Sequence, residues 1–529
     1  MAKILVSDKL SEAGLQILKE APGLEIDAKT GLKPDELKAI IGQYEGLIIR
    51  SGTKVTADLL SAASQLKIIG RAGIGVDNVD TVAASKKGVI VENTPGGNVV
   101  TTAEHAIAMM FAMARKIPQA TASMKAGKWE KTKFVGSEIY NKVLGIVGVG
   151  NIGKIVADRA LGLKMKVMAY DPFLSPETAA KMGIELVELD DLFARADFIT
   201  IHTPLNDKTR NLIDRAAFGK MKRGVYIINC ARGGIVNEEA LTAAIQEGIV
   251  AGAALDVFVE EPVKPDLPLL KLDPVVCTPH LGASTDEAQE NVAIEVAEQM
   301  VEYFVKGVVK NAVNYPSISG ELAGVLKPYI SLAEKLGKLQ GQLSNSFPQE
   351  IQIRYHGELV EYPTAPVTVS ILKGILECSM EGENVNFVNA PFIAKERGIQ
   401  VTESKVSDSP DFKSLIEVVV KTPKESRRVS GTIFGKNNPR IVRIDDFYLE
   451  AVPEGTILVI HNQDKPGVVG SIGTLLGKNK VNISRMQLGL VQEKSEAMAL
   501  YNVDHTVPAD LIKEIEKLPN IISVTQVSV

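Results

Sequence analysis

The stretch Gly145–Pro172, GIVGVGNIGKIVADRALGLKMKVMAYDP, runs from an apolar β-like segment through a glycine loop into a helix-like segment, and ends on a second apolar run closed by a carboxylate. Gly148, Gly150 and Gly153 form GxGxxG directly behind the first run, and Asp171 lies 23 residues beyond Gly148. The three glycines serve different physical ends. Gly148 permits the tight turn, Gly150 lets a pyrophosphate approach the backbone, and Gly153 lets helix and strand pack closely. Phosphates would rest at the helix N-terminus, where free N–H groups and the helix dipole favour negative charge. Asp171 would accept hydrogen bonds from the adenosine ribose hydroxyls. Its charge would repel a 2′-phosphate, and no Arg or Lys follows it directly in DPFL, so the stretch reads as a site for NAD rather than NADP. A glycine turn between strand and helix also arises for steric reasons alone. Strand, helix, second strand and acid, all in place, make this one informative.

The surrounding chain sets bounds. At 529 residues it exceeds one hydrophobic core and should hold about three or four units. A 45% hydrophobic share with 23% charged residues is that of an ordinary globular protein, and no apolar run is long enough for a membrane span. The net charge of -5 comes without a long basic block, which disfavours nucleic acid as a partner. Cys230, Cys277 and Cys378 are far apart without CxxC spacing, and MAKILVSDKL enters a strand directly, so a cytoplasmic location is expected. No metal is expected.

Outward from the glycine loop, strand-like and helix-like runs alternate on both sides. Before it come KILVS, LEIDA, GLIIRS, LKIIGRAG and VIVENTP, with helices over Pro34–Gly42 and Ala57–Ser64. After a long apolar helix, NVVTTAEHAIAMMFAMARKI, and the loop itself come FITIHTPL, VYIINCARGG, AGAALDVF and PVVCTPHLG. The fold class is therefore α/β, with two Rossmann-like or flavodoxin-like parallel-sheet domains. A periodic helix over Asp286–Lys306 suggests that the chain then crosses back to the first unit, and NAVNYPSISG reads as a boundary. A mixed α+β block follows, with PVTVSILKGIL, LIEVVV and RIVRIDDFYLEAV read as strands. From Glu454 onward the order is βαββαβ, which is ferredoxin-like.

Three segments offer catalytic groups: Arg232 in NCARGG, Glu260 and Glu261 in DVFVEEP, and His280 in TPHLGAS. All follow strand-like runs, so they should lie at the carboxyl ends of strands, where open α/β sheets bind ligands. Hydride transfer from a secondary alcohol to NAD needs a base for the hydroxyl proton, and imidazole suits that role near neutral pH. A neighbouring carboxylate would raise its pKa and fix its tautomer. A guanidinium can hold a substrate carboxylate through paired hydrogen bonds. In the first unit, Arg50, Arg71 and the backbone around Gly73 suit a substrate carrying both phosphate and carboxylate.

The ordered set RAGIGVDNVD, GVGNIG, HTPL, NCARGGIV, ALDVFVEEP and TPHLGAST resembles the D-isomer-specific 2-hydroxyacid dehydrogenases, and the whole chain resembles their long form with two regulatory domains. The resemblance implies His280 as acid/base, Glu261 as its partner and Arg232 as the substrate anchor. It also implies cofactor contacts at Asn151, Ile152, Thr203, Cys230, Ala231, Asp256 and Gly282, with Asp256 facing the nicotinamide carboxamide. It implies a discontinuous substrate domain of residues 1–97 and 281–314, an NAD-binding Rossmann domain of 98–280, and an active site in the cleft between them. The arm KAGKWEKTKF, with Trp129, would reach a second subunit and place Lys131 in the neighbour's active site, so a homo-oligomer, dimer or tetramer, is expected. The implied reaction is NAD-dependent oxidation of 3-phosphoglycerate to 3-phosphooxypyruvate, the first step of L-serine biosynthesis. Two alternatives stay open: another D-2-hydroxyacid dehydrogenase or glyoxylate reductase, and a non-catalytic NAD-sensing scaffold.

HNQDKPGVVGSIGTLLGKNKVNISRMQ resembles an ACT domain, expected at 453–529, and Asp464 and Asn482 match positions that hold an amino-acid effector at paired interfaces, with L-serine as the implied effector. Asn462 stands where some relatives carry tyrosine. Residues 315–452 resemble the allosteric substrate-binding (ASB) domain, whose Arg427, Arg428, Lys436, Arg440 and Arg443 are candidates for an anion site.

Overall fold

The computed structural model describes residues 1–316, 321–344, 346–380, 385–409, 411–491 and 495–529. The last residues of the expected boundary NAVNYPSISG, 317–320, lie outside them. The chain divides into two units, one made of Leu10–Leu15 and Thr94–Glu295, the other of Met1–Lys9, Gln16–Asn93 and Val296–Val529.

The unit containing Thr94–Glu295 is built on a seven-stranded sheet whose spatial order is Val275–Cys277, Val250–Leu255, Val225–Asn229, Phe198–Ile201, Val143–Val147, Lys166–Tyr170 and Glu185–Leu186. All neighbours pair in parallel. Its central strands are apolar runs such as FITI, buried at every position, because helices cover both faces of a parallel sheet. The long apolar segment forms the helix Val99–Ala114 and is broken there: Lys116 adopts φ 51°, and a second helix runs over Ile117–Lys125.

The other unit opens with a five-stranded parallel sheet, ordered Leu24–Ala28, Ala2–Val6, Gly46–Ile49, Ile68–Arg71 and Ile90–Asn93. The expected helix over 286–306 is α-helical across Asp286–Val301 and closes in a π-type turn over Glu302–Lys306. In this unit its Met300 reaches Gly46 and Gly70, where an added Cβ would lie 2.9 and 3.1 Å from the methionine.

The six-stranded sheet that follows runs Gln400–Val406, Glu350–Gly357, Ser414–Lys421, Ser426–Phe434, Asn438–Ile444 and Phe447–Ala451. PVTVSILKGIL is not a strand: it lies in the helix Ala365–Ser379. Its Val and Ile residues suggested an extended run, but Pro366 starts a helix and residues Pro366–Leu372 are buried on all sides, so no amphipathic period betrays it. Close backbone contact with the helix Glu321–Leu343 explains the glycines. A Cβ on Gly374 would stand 2.4 Å from the Glu334 carbonyl oxygen, and one on Gly337 2.4 Å from that of Ile371.

The last block is βαββαβ as expected, with strands Ile483–Val491, Glu496–Val503, Thr456–Gln463 and Ile521–Ser528 in that spatial order, all antiparallel. The run TILVIHN is buried on both faces. Leu458 and Ile460 join the block's own helices through Val468, Ile472 and Ile515. Ile457 and Val459 join Leu332, Leu336 and Leu339 of the preceding helix in another core. No helix among the described residues is long and apolar enough to cross a membrane.

Candidate active site

The glycine loop has the geometry its spacing predicts. Gly148 sits at φ 93°, where a Cβ would also collide with the His202 carbonyl oxygen at 2.8 Å. A Cβ on Gly153 would lie 2.1 Å from the Gly148 carbonyl oxygen, so only glycine lets the helix Asn151–Gly162 sit this close to the turn. Around Gly150, the residue before that helix, a Cβ would meet nothing within 4 Å. That open cradle is where a pyrophosphate fits, with Asn151 and Ile152 in the first helical turn. Asp171 accepts from the Val149 N–H at 2.7 Å and the Phe173 N–H at 2.8 Å, which couples the acid at the second strand's end to the loop itself. The Thr203 hydroxyl oxygen is buried without a partner in the protein, as suits a residue that completes its hydrogen bonding on a ligand. These features fit a bound NAD.

Beyond the loop, the strand ends carry the reactive groups. His280 donates or accepts through Nδ1 to Glu261 Oε2 at 2.7 Å, while Glu261 Oε1 accepts the Phe258 N–H at 3.0 Å. The glutamate raises the His280 pKa above its ordinary value, and burial and the nearby Arg232 charge only partly offset this. For Glu261, burial pushes the pKa up, but the His280 and Phe258 hydrogen bonds outweigh it and hold the carboxyl below its ordinary value. Half of the His280 side chain, 49%, remains exposed, and its Nε2 has no hydrogen bond among the described residues. With an ionised glutamate on Nδ1, the proton sits there and Nε2 is a free base. Arg232 follows the strand Val225–Asn229; its guanidinium donates to the Ala231 carbonyl at 2.6 Å, and its own carbonyl accepts from Asn229. Cys230 is buried, and burial drives its thiol pKa upward, so it lines the site as a neutral side chain.

Asp256 is wholly buried at the end of the strand Val250–Leu255. Its Oδ1 accepts from the Thr278 hydroxyl at 2.6 Å and the Leu281 N–H at 2.7 Å, and its Oδ2 from the Gly282 N–H at 2.8 Å. His105 Nε2 approaches both Oδ1 and the Thr278 hydroxyl at 3.2 Å, and Thr102 donates to the Gly282 carbonyl at 3.0 Å. Burial alone would raise the Asp256 pKa, but these donors hold it below its ordinary value. Sequence reasoning passed over His105, Thr102 and Thr278. The available signal was a histidine and a threonine one turn apart in an otherwise apolar helix.

In the other unit, Arg50 and Arg71 follow the paired strands Gly46–Ile49 and Ile68–Arg71 at the same sheet edge. Gly73, at φ 136°, lies under the Arg71 guanidinium, where a Cβ would be 1.6 Å from Nη1. Lys131 begins an exposed turn, Lys131–Phe134, beside Trp129, which is 81% exposed. Asp464 and Asn482 are both exposed but are not brought together. Gln463 pairs with Glu496 at one end of the sheet, whereas Ile483 pairs with Val503 at the other. The basic cluster is largely matched internally: Arg427 pairs with Glu425 and Asp445, Arg428 with Glu417, and Arg443 lies over Tyr448.

Known proteins share this organisation. Residues 107–282 match the D-isomer specific 2-hydroxyacid dehydrogenase NAD binding domain, 325–445 the D-3-phosphoglycerate dehydrogenase intervening domain, and 456–520 the ACT domain. The chain is 45% identical to the D-3-phosphoglycerate dehydrogenase of Archaeoglobus fulgidus over 99% of both chains. It is 42% identical to that of Bacillus subtilis, again over 99% of both. Among solved structures, the D-lactate dehydrogenase of Aquifex aeolicus, complexed with NAD and lactic acid, superimposes with a TM-score of 0.53 at 29% identity, covering 59% of this chain and 100% of its own. The full-length identity, the three matched domains and the fit of the glycine loop to NAD agree: the chain belongs to the D-3-phosphoglycerate dehydrogenases, NAD-dependent oxidoreductases of the D-isomer-specific 2-hydroxyacid dehydrogenase family.

Proposed function

We propose that the chain oxidises the C2 hydroxyl of D-3-phosphoglycerate to 3-phosphooxypyruvate, with His280 as the base, as the first step of L-serine biosynthesis. The observation that carries the residue assignment is the 2.7 Å contact between His280 Nδ1 and Glu261, which leaves Nε2 exposed and free. His280 Nε2 takes the hydroxyl proton, and Glu261 stabilises the resulting imidazolium through Nδ1–H. NAD, when bound, accepts the hydride from C2. Gly148, Gly150, Gly153, Asn151 and Ile152 seat its pyrophosphate, Asp171 its adenosine ribose, and Thr203, Cys230, Ala231 and Gly282 the remainder. Arg232 anchors the substrate carboxylate, while Arg50, Arg71 and the Gly73 backbone meet its other anionic groups.

The substrate domain is assigned to residues 1–97 and 281–314, the NAD domain to 98–280, the intervening domain to 315–452 and the ACT domain to 453–529. The separation of Asp464 from Asn482 along the sheet supports an L-serine site shared between two ACT domains, one residue from each. The bare Trp129 and neighbouring Lys131 support a homo-oligomer in which this arm meets a second subunit. A cytoplasmic location is supported by the three free cysteines.

The test is NADH formation from 3-phosphoglycerate and NAD by the full chain, with and without serine, beside unphosphorylated D-2-hydroxy acids. Turnover of the phosphorylated acid that falls with serine is expected. His280→Ala should lower kcat by about 10²- to 10⁴-fold, the usual worth of a general base. Preference for an unphosphorylated acid would reassign the substrate, and a His280→Ala protein with full biological activity would favour an NAD-sensing scaffold.

A further inference from the structure

We propose that His105, on the long helix Val99–Ala114, is a positioning residue that holds the His280 turn in its reactive geometry through Asp256 and Thr278. This rests on His280 being the base.

His280 adopts φ 56°, a left-handed conformation that a histidine keeps only when its surroundings enforce it. The enforcement comes from one residue. The N–H of His280 donates to the Asp256 carbonyl at 2.9 Å, that of Leu281 to Oδ1 at 2.7 Å, and that of Gly282 to Oδ2 at 2.8 Å. Three consecutive backbone donors thus converge on Asp256, so the direction of the imidazole depends on how that carboxylate is turned.

Asp256 is in turn fixed from the helix. Thr102, His105 and Met109 share one helical face, at spacings of three and four residues. Thr102 holds the Gly282 carbonyl at 3.0 Å, Met109 Sδ receives the Thr278 hydroxyl at 3.8 Å, and His105 Nε2 lies between Oδ1 and the Thr278 hydroxyl, 3.2 Å from each. An ionised carboxylate only accepts, so the His105 proton is on Nε2 and points at Oδ1. Without that donor a fully buried carboxylate loses one of its partners and can turn, and the His280 turn relaxes toward ordinary backbone geometry. His105 does not reach the reacting atoms. Its effect passes to His280 as a shift in where Nε2 points, and misplacement of about 1 Å can cost about 10²-fold in rate.

The experiment compares full-length His105→Gln and His105→Met with the unaltered chain and with His280→Ala. Glutamine keeps a donor at similar reach, whereas methionine keeps volume without a donor. His105→Met should lower kcat about tenfold while KM for 3-phosphoglycerate and the NADH dissociation constant, read by nucleotide fluorescence, stay within about twofold. His105→Gln should recover kcat to within about threefold of the unaltered chain. Unchanged kcat in His105→Met, or equal losses in both variants, would overturn the proposal. If His105→Met does not fold, Thr278→Val takes its place with the same expected signature, and unchanged kcat there overturns it equally. An active His280→Ala would instead remove the underlying reading of the base.

Discussion

The two parallel sheets share a plan and differ at one spot. In each, the first strand lies between two others at a topological switch point: Ala2–Val6 between Leu24–Ala28 and Gly46–Ile49, and Val143–Val147 between Lys166–Tyr170 and Phe198–Ile201. That is where open α/β sheets bind ligands. In the seven-stranded sheet the crevice is lined by Gly148 and Gly150, and the helix behind it has no acid in its first turn. In the five-stranded sheet the corresponding place holds Asp8. Its carboxylate accepts from the Arg50 N–H at 2.6 Å and the Thr53 N–H at 3.0 Å, and Glu12 opens the next helix. One crevice is open and favourable to phosphate; the other is closed by a negative charge that braces the Arg50 loop. The fold supplies a crevice twice, and the residues behind one strand decide whether it binds a nucleotide or organises a neighbouring loop.

The contrast can be broken most directly by Gly150→Asp, which places a carboxylate where Gly150 now leaves open space. NAD affinity should fall by about 100-fold or more, since like charges a few ångströms apart repel by several kcal/mol at an effective dielectric of about 20. Calorimetric titration with NAD checks this, and thermal stability should hardly change.

Next in size is Glu261→Gln. It removes the group that raises the His280 pKa, so kcat for oxidation should fall about tenfold or more. Oxidation needs the neutral imidazole, so its rate rises with pH through the His280 pKa; in the variant that rise should move to lower pH. A pH profile of kcat/KM tests the direction.

Asp8→Ala should release the Arg50 loop and raise KM for 3-phosphoglycerate several-fold, with the NAD dissociation constant unchanged. Equal changes in both would sink the contrast between the crevices.

The smallest effect concerns buried carboxyls, which the two sheets treat oppositely. Burial pushes Glu92 up to about 8, whereas donors hold Asp256 below its ordinary value. A raised acid pKa favours folding at low pH, and that advantage is lost progressively as pH rises from about 4.5 to about 8. Glu92→Gln should therefore raise the melting temperature by a few degrees, about 2–4 °C, at pH 8 and leave it nearly unchanged at pH 5. A melting temperature that moves equally at both pH values would reject the assignment.

Much of this was legible because it is local. The glycine spacing, the acid at Asp171 and the βαββαβ order each depend on residues close in sequence. What escaped was long-range or lacked periodicity. His105 meets Thr278 across 173 residues, and nothing in AEHAIAMM says which side of that helix faces the His280 turn. The helix Ala365–Ser379 passed for a strand because a helix buried all round shows no polar stripe. The matching of Arg427 to Asp445 and Arg428 to Glu417 depends on strand register, which separate segments do not reveal.

The alternation along TILVIHN carries a consequence for how the C-terminal half behaves under stress. Ile457, Val459, Met498, Leu500 and Val527 pack into the same core as Leu332, Leu336 and Leu339, and Gln342 binds both main-chain groups of Ser528 at 2.9 Å. Two segments that match separate families therefore melt as one cooperative block, and cutting the chain between them would strand an oily face on each half. A small molecule that grips only the last block would, by mass action, protect the intervening one from proteases as well.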